Sequence, residues 1–136
     1  MRVFPCLLLP LFLASAGAAS AQNKTQAVRF PSNATSAMET GKITGGEKVT
    51  YTIDARSGHS ASVNLKTNQA QCTFLIYGPG QTPGKHEPLY NSAVSGNGFS
   101  GFLPATGTYL VQIGQGEAAA RGEQTCDYTV TFAVAR

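Results

Sequence analysis

The 136-residue sequence predicts an all-β fold, an antiparallel β-sandwich of about eight or nine short strands, jelly-roll-like in its strand count. Three observations carry that expectation. Apolar residues recur with period two in several short runs, and clusters of Gly and Pro separate those runs. After the first 21 residues, no segment keeps a helical period for three turns.

In chain order, residues 27–30 and Ser36–Thr44 read as weaker strands, followed by a Gly45-Gly46 turn. Val49, Tyr51, Ile53 and Ala55 then alternate with Thr50, Thr52 and Asp54, and Ala61, Val63 and Leu65 with Ser62, Asn64 and Lys66. Such alternation describes sheets with one buried face. Between these two runs stands Ser57-Gly58-His59. Residues 71–77, 88–94 and 98–103 are further weaker strands, punctuated by Gly78-Pro79-Gly80 and Pro83-Gly84. Beyond the Ala105-Thr106-Gly107 turn, Tyr109, Val111 and Ile113 alternate with Leu110 and Gln112, and Tyr128, Val130, Phe132 and Val134 with Thr129, Thr131 and Ala133. The single helical candidate is Glu117–Arg121, EAAAR. Five residues cannot nucleate a helix alone in water, so a loop with a local turn is expected there.

The first 21 residues combine Arg2, an apolar run over 3–14 and a small-residue close at Ala19-Ser20-Ala21, the pattern of a secretory signal peptide cleaved after Ala21. Cleavage leaves a single domain, residues 22–136, with nine Lys/Arg against seven Asp/Glu. Charges this few and this scattered form no basic stripe, so neither nucleic acid nor, after cleavage, a membrane is an expected partner. Cys6 leaves with the leader; Cys72 and Cys126 remain, an even count in an exported chain, and favour a disulfide. Each opens a strand on its apolar side. Neighbouring antiparallel strands would put those two beginnings at opposite ends, so the bridge is expected to join strands running the same way, most simply across the two sheets.

Residues 94–109, VSGNGFSGFLPATGTY, contain the letters of two well-known signals. Gly96, Gly98 and Gly101 spell the dinucleotide fingerprint, but that loop needs a helix behind it to hold a pyrophosphate, and a Pro104–Gly107 turn and another strand follow instead. LPATG spells a cell-wall sorting signal, yet no apolar span of about 20 residues comes after it. Catalytic parts are scarce as well. His59 and His86 are the only histidines, no zinc-binding motif is present, and Ser57, His59 and Asp54 lack a nucleophile elbow; no enzyme activity, metal or cofactor is expected. Phe99, flanked by small residues, has two readings: an exposed anchor, or a core residue at a strand end.

The order of these pieces resembles a family. SAMETGKITGGEKVTYTIDARSGHSASVNL, FLIYGPG, SGNGFSGFLPATGTYLVQI and EAAARGE before CDYTVTFAV are together similar to the periplasmic inhibitors of g-type and i-type lysozymes, which are related to the β-sandwich of pre-peptidase C-terminal domains. The resemblance implies a periplasmic inhibitor whose partner is a g-type or i-type lysozyme. It implies that a protruding loop, here Ser95, Gly96, Asn97, Gly98 and Phe99, enters the enzyme's cleft opposite its catalytic carboxylate. It implies, too, that a second loop, here with Glu117 and Arg121, helps to clamp. Phe99 stands where the family motif has Tyr, and Gly116-Glu117 where relatives often carry Arg and Asn. The alternative function is an accessory β-sandwich that binds envelope glycan or protein without inhibiting anything.

Overall fold

The computed structural model describes residues 23–32 and 34–135; the expected leader and cleavage position lie outside them. Among these residues nine strands and two single-turn helices follow one another as β1 (Asn23–Ala27), β2 (Ser36–Thr44), β3 (Lys48–Ala55), β4 (Ser60–Thr67), β5 (Cys72–Tyr77), β6 (Tyr90–Asn91), α1 (Ser92–Ser95), β7 (Gly98–Phe102), β8 (Gly107–Gln115), α2 (Glu117–Arg121) and β9 (Thr125–Ala135). They form two sheets, one ordered β1-β3-β8-β5-β6 and the other β2-β9-β4-β7. All the pairings are antiparallel except β1 with β3.

Period-two alternation is what makes the sandwich. Along β3, Val49, Tyr51, Ile53 and Ala55 are buried while the intervening residues are not, and β8 repeats the pattern with Tyr109, Val111 and Ile113. From the other sheet Val63, Leu65, Tyr128, Val130 and Phe132 meet them. Packing two apolar faces in this way removes each from water without stranding backbone polar groups, because the sheet ladders satisfy those.

Three elements depart from expectation. The first strand occupies Asn23–Ala27 rather than 27–30, since the polar NKTQA run lies along the edge of β3 in a parallel ladder; Phe30, past its end, packs on the core from a loop. Within 88–94 only Tyr90 and Asn91 pair, opposite Ile76 and Leu75. There Asn91 stops the strand: its side-chain oxygen accepts from the Ala93 amide and caps α1. The EAAAR segment is a full helical turn, which buries its own Ala119.

The disulfide forms as expected. Cys72 opens β5 in one sheet and Cys126 lies at the start of β9 in the other, with Cα atoms 6.2 Å apart. Both strands therefore run away from the bridged end.

Between the sheets, the hydroxyls of Tyr51 and Tyr128 share a 2.7 Å hydrogen bond, and the rings meet edge to face. Burial pushes both phenols above the usual tyrosine range, because a phenolate there would lose its hydration; the nearby Glu39 carboxylate pushes in the same direction. A raised folded-state pKa means that the contribution of this pair is complete below the unfolded value of about 10 and is lost as the pH climbs beyond it. Urea unfolding at successive pH values from 8 to 11.5 should thus show stability falling above about pH 10. A Tyr51→Phe/Tyr128→Phe double variant should fall less steeply, and equal slopes would remove the pair from the alkaline transition.

Candidate functional site

The strand registers bring the two sequence-predicted loops to one end of the sandwich. Thr67, the last residue of β4, pairs with Tyr128 near the start of β9, and Asn64 pairs with Gly98, the first residue of β7. Cys72 at the start of β5 pairs with Gln115 at the end of β8. Connections 68–71, 92–97 and 116–124 consequently emerge together, beside the disulfide.

The 92–97 segment crosses from β6, an edge of one sheet, to β7, an edge of the other. It begins with Ser92, buried, whose Oγ accepts from the Phe74 amide at 2.7 Å. After one turn of α1 the chain reverses at Gly96, whose φ of 97° lies in the region that glycine adopts without a Cβ clash; its amide donates to the Ser92 carbonyl. Asn97 then joins the ladder, its carbonyl accepting from the Leu65 amide at 2.9 Å. Ser95, Gly96, Asn97 and Gly98 are all exposed. Among the described residues neither the Ser95 hydroxyl nor the Asn97 side-chain amide is engaged in a hydrogen bond, so both offer donors to a partner.

Phe99 does not project. It is half-buried opposite Val63 and packed against the core, with its ring centroid 5.1 Å from that of Tyr90. Of its two sequence readings the structure shows the core residue. The exposed aromatic of β7 is Phe102, at the far end of that strand from the loop.

Sequence reasoning missed Tyr90. Its ring stacks on Phe74 with centroids 5.5 Å apart, and its hydroxyl lies 3.0, 2.6 and 2.9 Å from the carbonyl oxygens of Ser95, Gly96 and Gly98. The apolar periodicity marks Tyr90 as a strand residue only; nothing local signals that a loop folds back over it.

In the second loop, α2 is tied to the 68–71 connection by Gln71, also missed. The Gln71 carbonyl accepts from the Gly116 amide at 2.9 Å and its side-chain oxygen from the Ala119 amide at 3.1 Å. From the other side, the Gln115 side-chain amide donates to the carbonyls of Gly45 and Gln124. Arg121 and Glu117 face each other one turn apart at 3.8 Å, both largely in solvent. Such an exposed pair contributes little and separates easily when a stronger partner arrives.

A concavity of about 880 Å³ lies at the opposite end, between residues 30–32 and 34–35 on one side and the 54–59 and 106–107 turns on the other. It holds Asp54 and His59, but no triad forms. His59 Nδ1 accepts from the Arg56 amide, Ser57 Oγ donates to the Pro104 carbonyl, and Asp54 accepts from Thr108 Oγ1. The LPATG letters fall here, in a turn that the Tyr109 hydroxyl pins through the backbone of Ala105. Gly98 and Gly101 of the fingerprint lie in β7, which is followed by strand β8 rather than by a helix. Among the described residues, no cluster of three metal-ligating side chains occurs, and no helix is long and apolar enough to cross a membrane.

No family model matches the chain. The inhibitor of g-type lysozyme from Escherichia coli strain K12 is 30% identical over 128 residues, which cover 94% of this chain and 92% of that protein. The chain belongs to the g-type lysozyme inhibitor family. The crystal structure of Aeromonas hydrophila PliG, a periplasmic lysozyme inhibitor of g-type lysozyme, superposes on this family member with a TM-score of 0.78 at 28% identity, covering 83% of this chain and 97% of that one. The pre-peptidase C-terminal domain of a Bacillus anthracis collagenase shares the fold alone, with a TM-score of 0.53 at 12% identity over 85% of this chain and 96% of that domain. The Escherichia coli and Aeromonas hydrophila relatives of this member are thus inhibitors, not enzymes.

Proposed function

We propose that the protein is a periplasmic inhibitor of g-type lysozyme that seats the Ser95–Gly98 tip in the enzyme's cleft while the α2 loop closes beside it. The observation that carries this reading is the convergence of the two loops on one end of a braced sandwich, with Ser95 and Asn97 exposed at the tip. Membership of a family whose named representatives act on g-type lysozyme selects that enzyme type over the i-type. Ser95 and Asn97 donate hydrogen bonds to the cleft carboxylate, and Gly96 and Gly98 let the backbone approach closely. Phe99 supports the tip from below. Arg121 turns from Glu117 to the acids of the cleft, a bidentate partner that a carboxylate accepts well.

A turbidimetric lysis assay with g-, i- and c-type lysozymes tests the reading. Inhibition of the g-type enzyme is expected, weakened by Ser95→Ala and by Arg121→Ala. Glu117→Gln should tighten binding by a few-fold, since it removes a like charge from the acidic cleft and releases Arg121. A protein inert towards every lysozyme type would overturn the proposal; so would undiminished inhibition by a Ser95→Ala/Arg121→Ala double variant.

A further inference from the structure

We infer that Tyr90 is the positioning residue of the inhibitory tip: its hydroxyl gathers the carbonyls of Ser95, Gly96 and Gly98 and thereby fixes the backbone shape presented to the enzyme, an inference that rests on the function proposed above. Three carbonyl oxygens lie 2.6 to 3.0 Å from a single phenol oxygen. A hydroxyl has one proton, so the three acceptors share it, the shortest contact being to Gly96. Without that donor, three carbonyl dipoles would point at a common centre and repel one another. The tip would then open towards water.

The phenol is itself held in place. Its ring lies between Phe74, fully buried two residues beyond the bridged Cys72, and Phe99. The chain from the disulfide through Phe74 and Tyr90 to the tip is a continuous packed path. Part of the ordering that binding demands is therefore complete before the enzyme arrives, and affinity depends on the fraction of molecules whose tip is already shaped.

Tyr90→Phe tests this, because it keeps both ring contacts and removes only the donor. Two amides report on the tip without any lysozyme present: Gly96, which donates to Ser92, and Leu65, which donates to Asn97. In the variant their hydrogen exchange should accelerate while the other strand amides exchange as before, and inhibition should weaken roughly five- to tenfold. Unchanged exchange at both amides would overturn the inference. So would weaker inhibition with unchanged exchange, because it would assign the hydroxyl to direct contact with the enzyme. Ser92→Ala provides a second arm, cutting the tie between α1 and Phe74 while leaving the hydroxyl in place. Exchange at Leu65 should then stay near wild type, and acceleration there would overturn the inference even if Tyr90→Phe failed to fold. A wild-type protein that inhibits no lysozyme would remove the proposed function, yet the exchange arm would still decide whether Tyr90 shapes the tip.

Discussion

Removing the Cys72–Cys126 bridge is expected to lower the unfolding free energy by about 4 kcal/mol. The two cysteines are 54 residues apart in sequence, so the bridge withdraws a long loop from the freedom of the unfolded chain. Domains of this size are stable by about 5–15 kcal/mol, so the loss is a large share of the whole. Urea unfolding of a Cys72→Ala/Cys126→Ala variant against the oxidised protein measures it. Because the bridge sits at the end that carries the loops, the variant should also lose inhibition at denaturant concentrations that still leave the sheets folded. A difference below about 1 kcal/mol would show that the strand ladders and the apolar core hold the bridged end without help.

Gly41→Ala should destabilise the protein by about 3 kcal/mol, against the local preference of the chain. Alanine in an extended strand is ordinarily better than glycine by about 0.5–1 kcal/mol. Here, however, Gly41 pairs with Tyr128 across the β2–β9 ladder, and a Cβ would fall on the Tyr128 hydroxyl and 2.6 Å from Cζ. The phenol would have to move, which adds overpacking strain of roughly 1–3 kcal/mol and leaves the buried Tyr51 hydroxyl without its partner at a similar cost. The sign alone is informative. If Gly41→Ala raised the thermal midpoint, Tyr128 would not lie across the glycine as described.

Strands 49–55, 61–66, 109–113 and 128–134 were legible because each buries one face, and burial writes period two into the sequence. β1 was not, for a physical reason: its residues are held by backbone pairing with β3 and are almost all exposed, so no alternation marks it. The 88–94 segment misled because apolar Leu89, Tyr90 and Val94 suggest a strand, whereas Asn91 acts through its side chain to start a helical turn. The tip itself, Ser95 to Phe99, was visible as a Gly/Ser-rich loop and through the family resemblance. Whether Phe99 pointed out or in was not, because small neighbours fit both arrangements. Tyr90 and Gln71 were invisible as supports, since each acts on backbone groups that only the tertiary fold brings near.

Each of the two loops proposed for binding, 92–97 and 116–124, starts in one sheet and finishes in the other, as the disulfide does. Sliding of one sheet over the other would therefore distort both loops at once, and the bridge resists that shear where it would do most harm. The breadth of the end proposed to meet the enzyme is consequently set by the thickness of the sandwich. Tip residues can then vary between relatives without altering the gauge of the wedge, whereas a change of core volume beneath the bridge would alter it even with every tip residue intact.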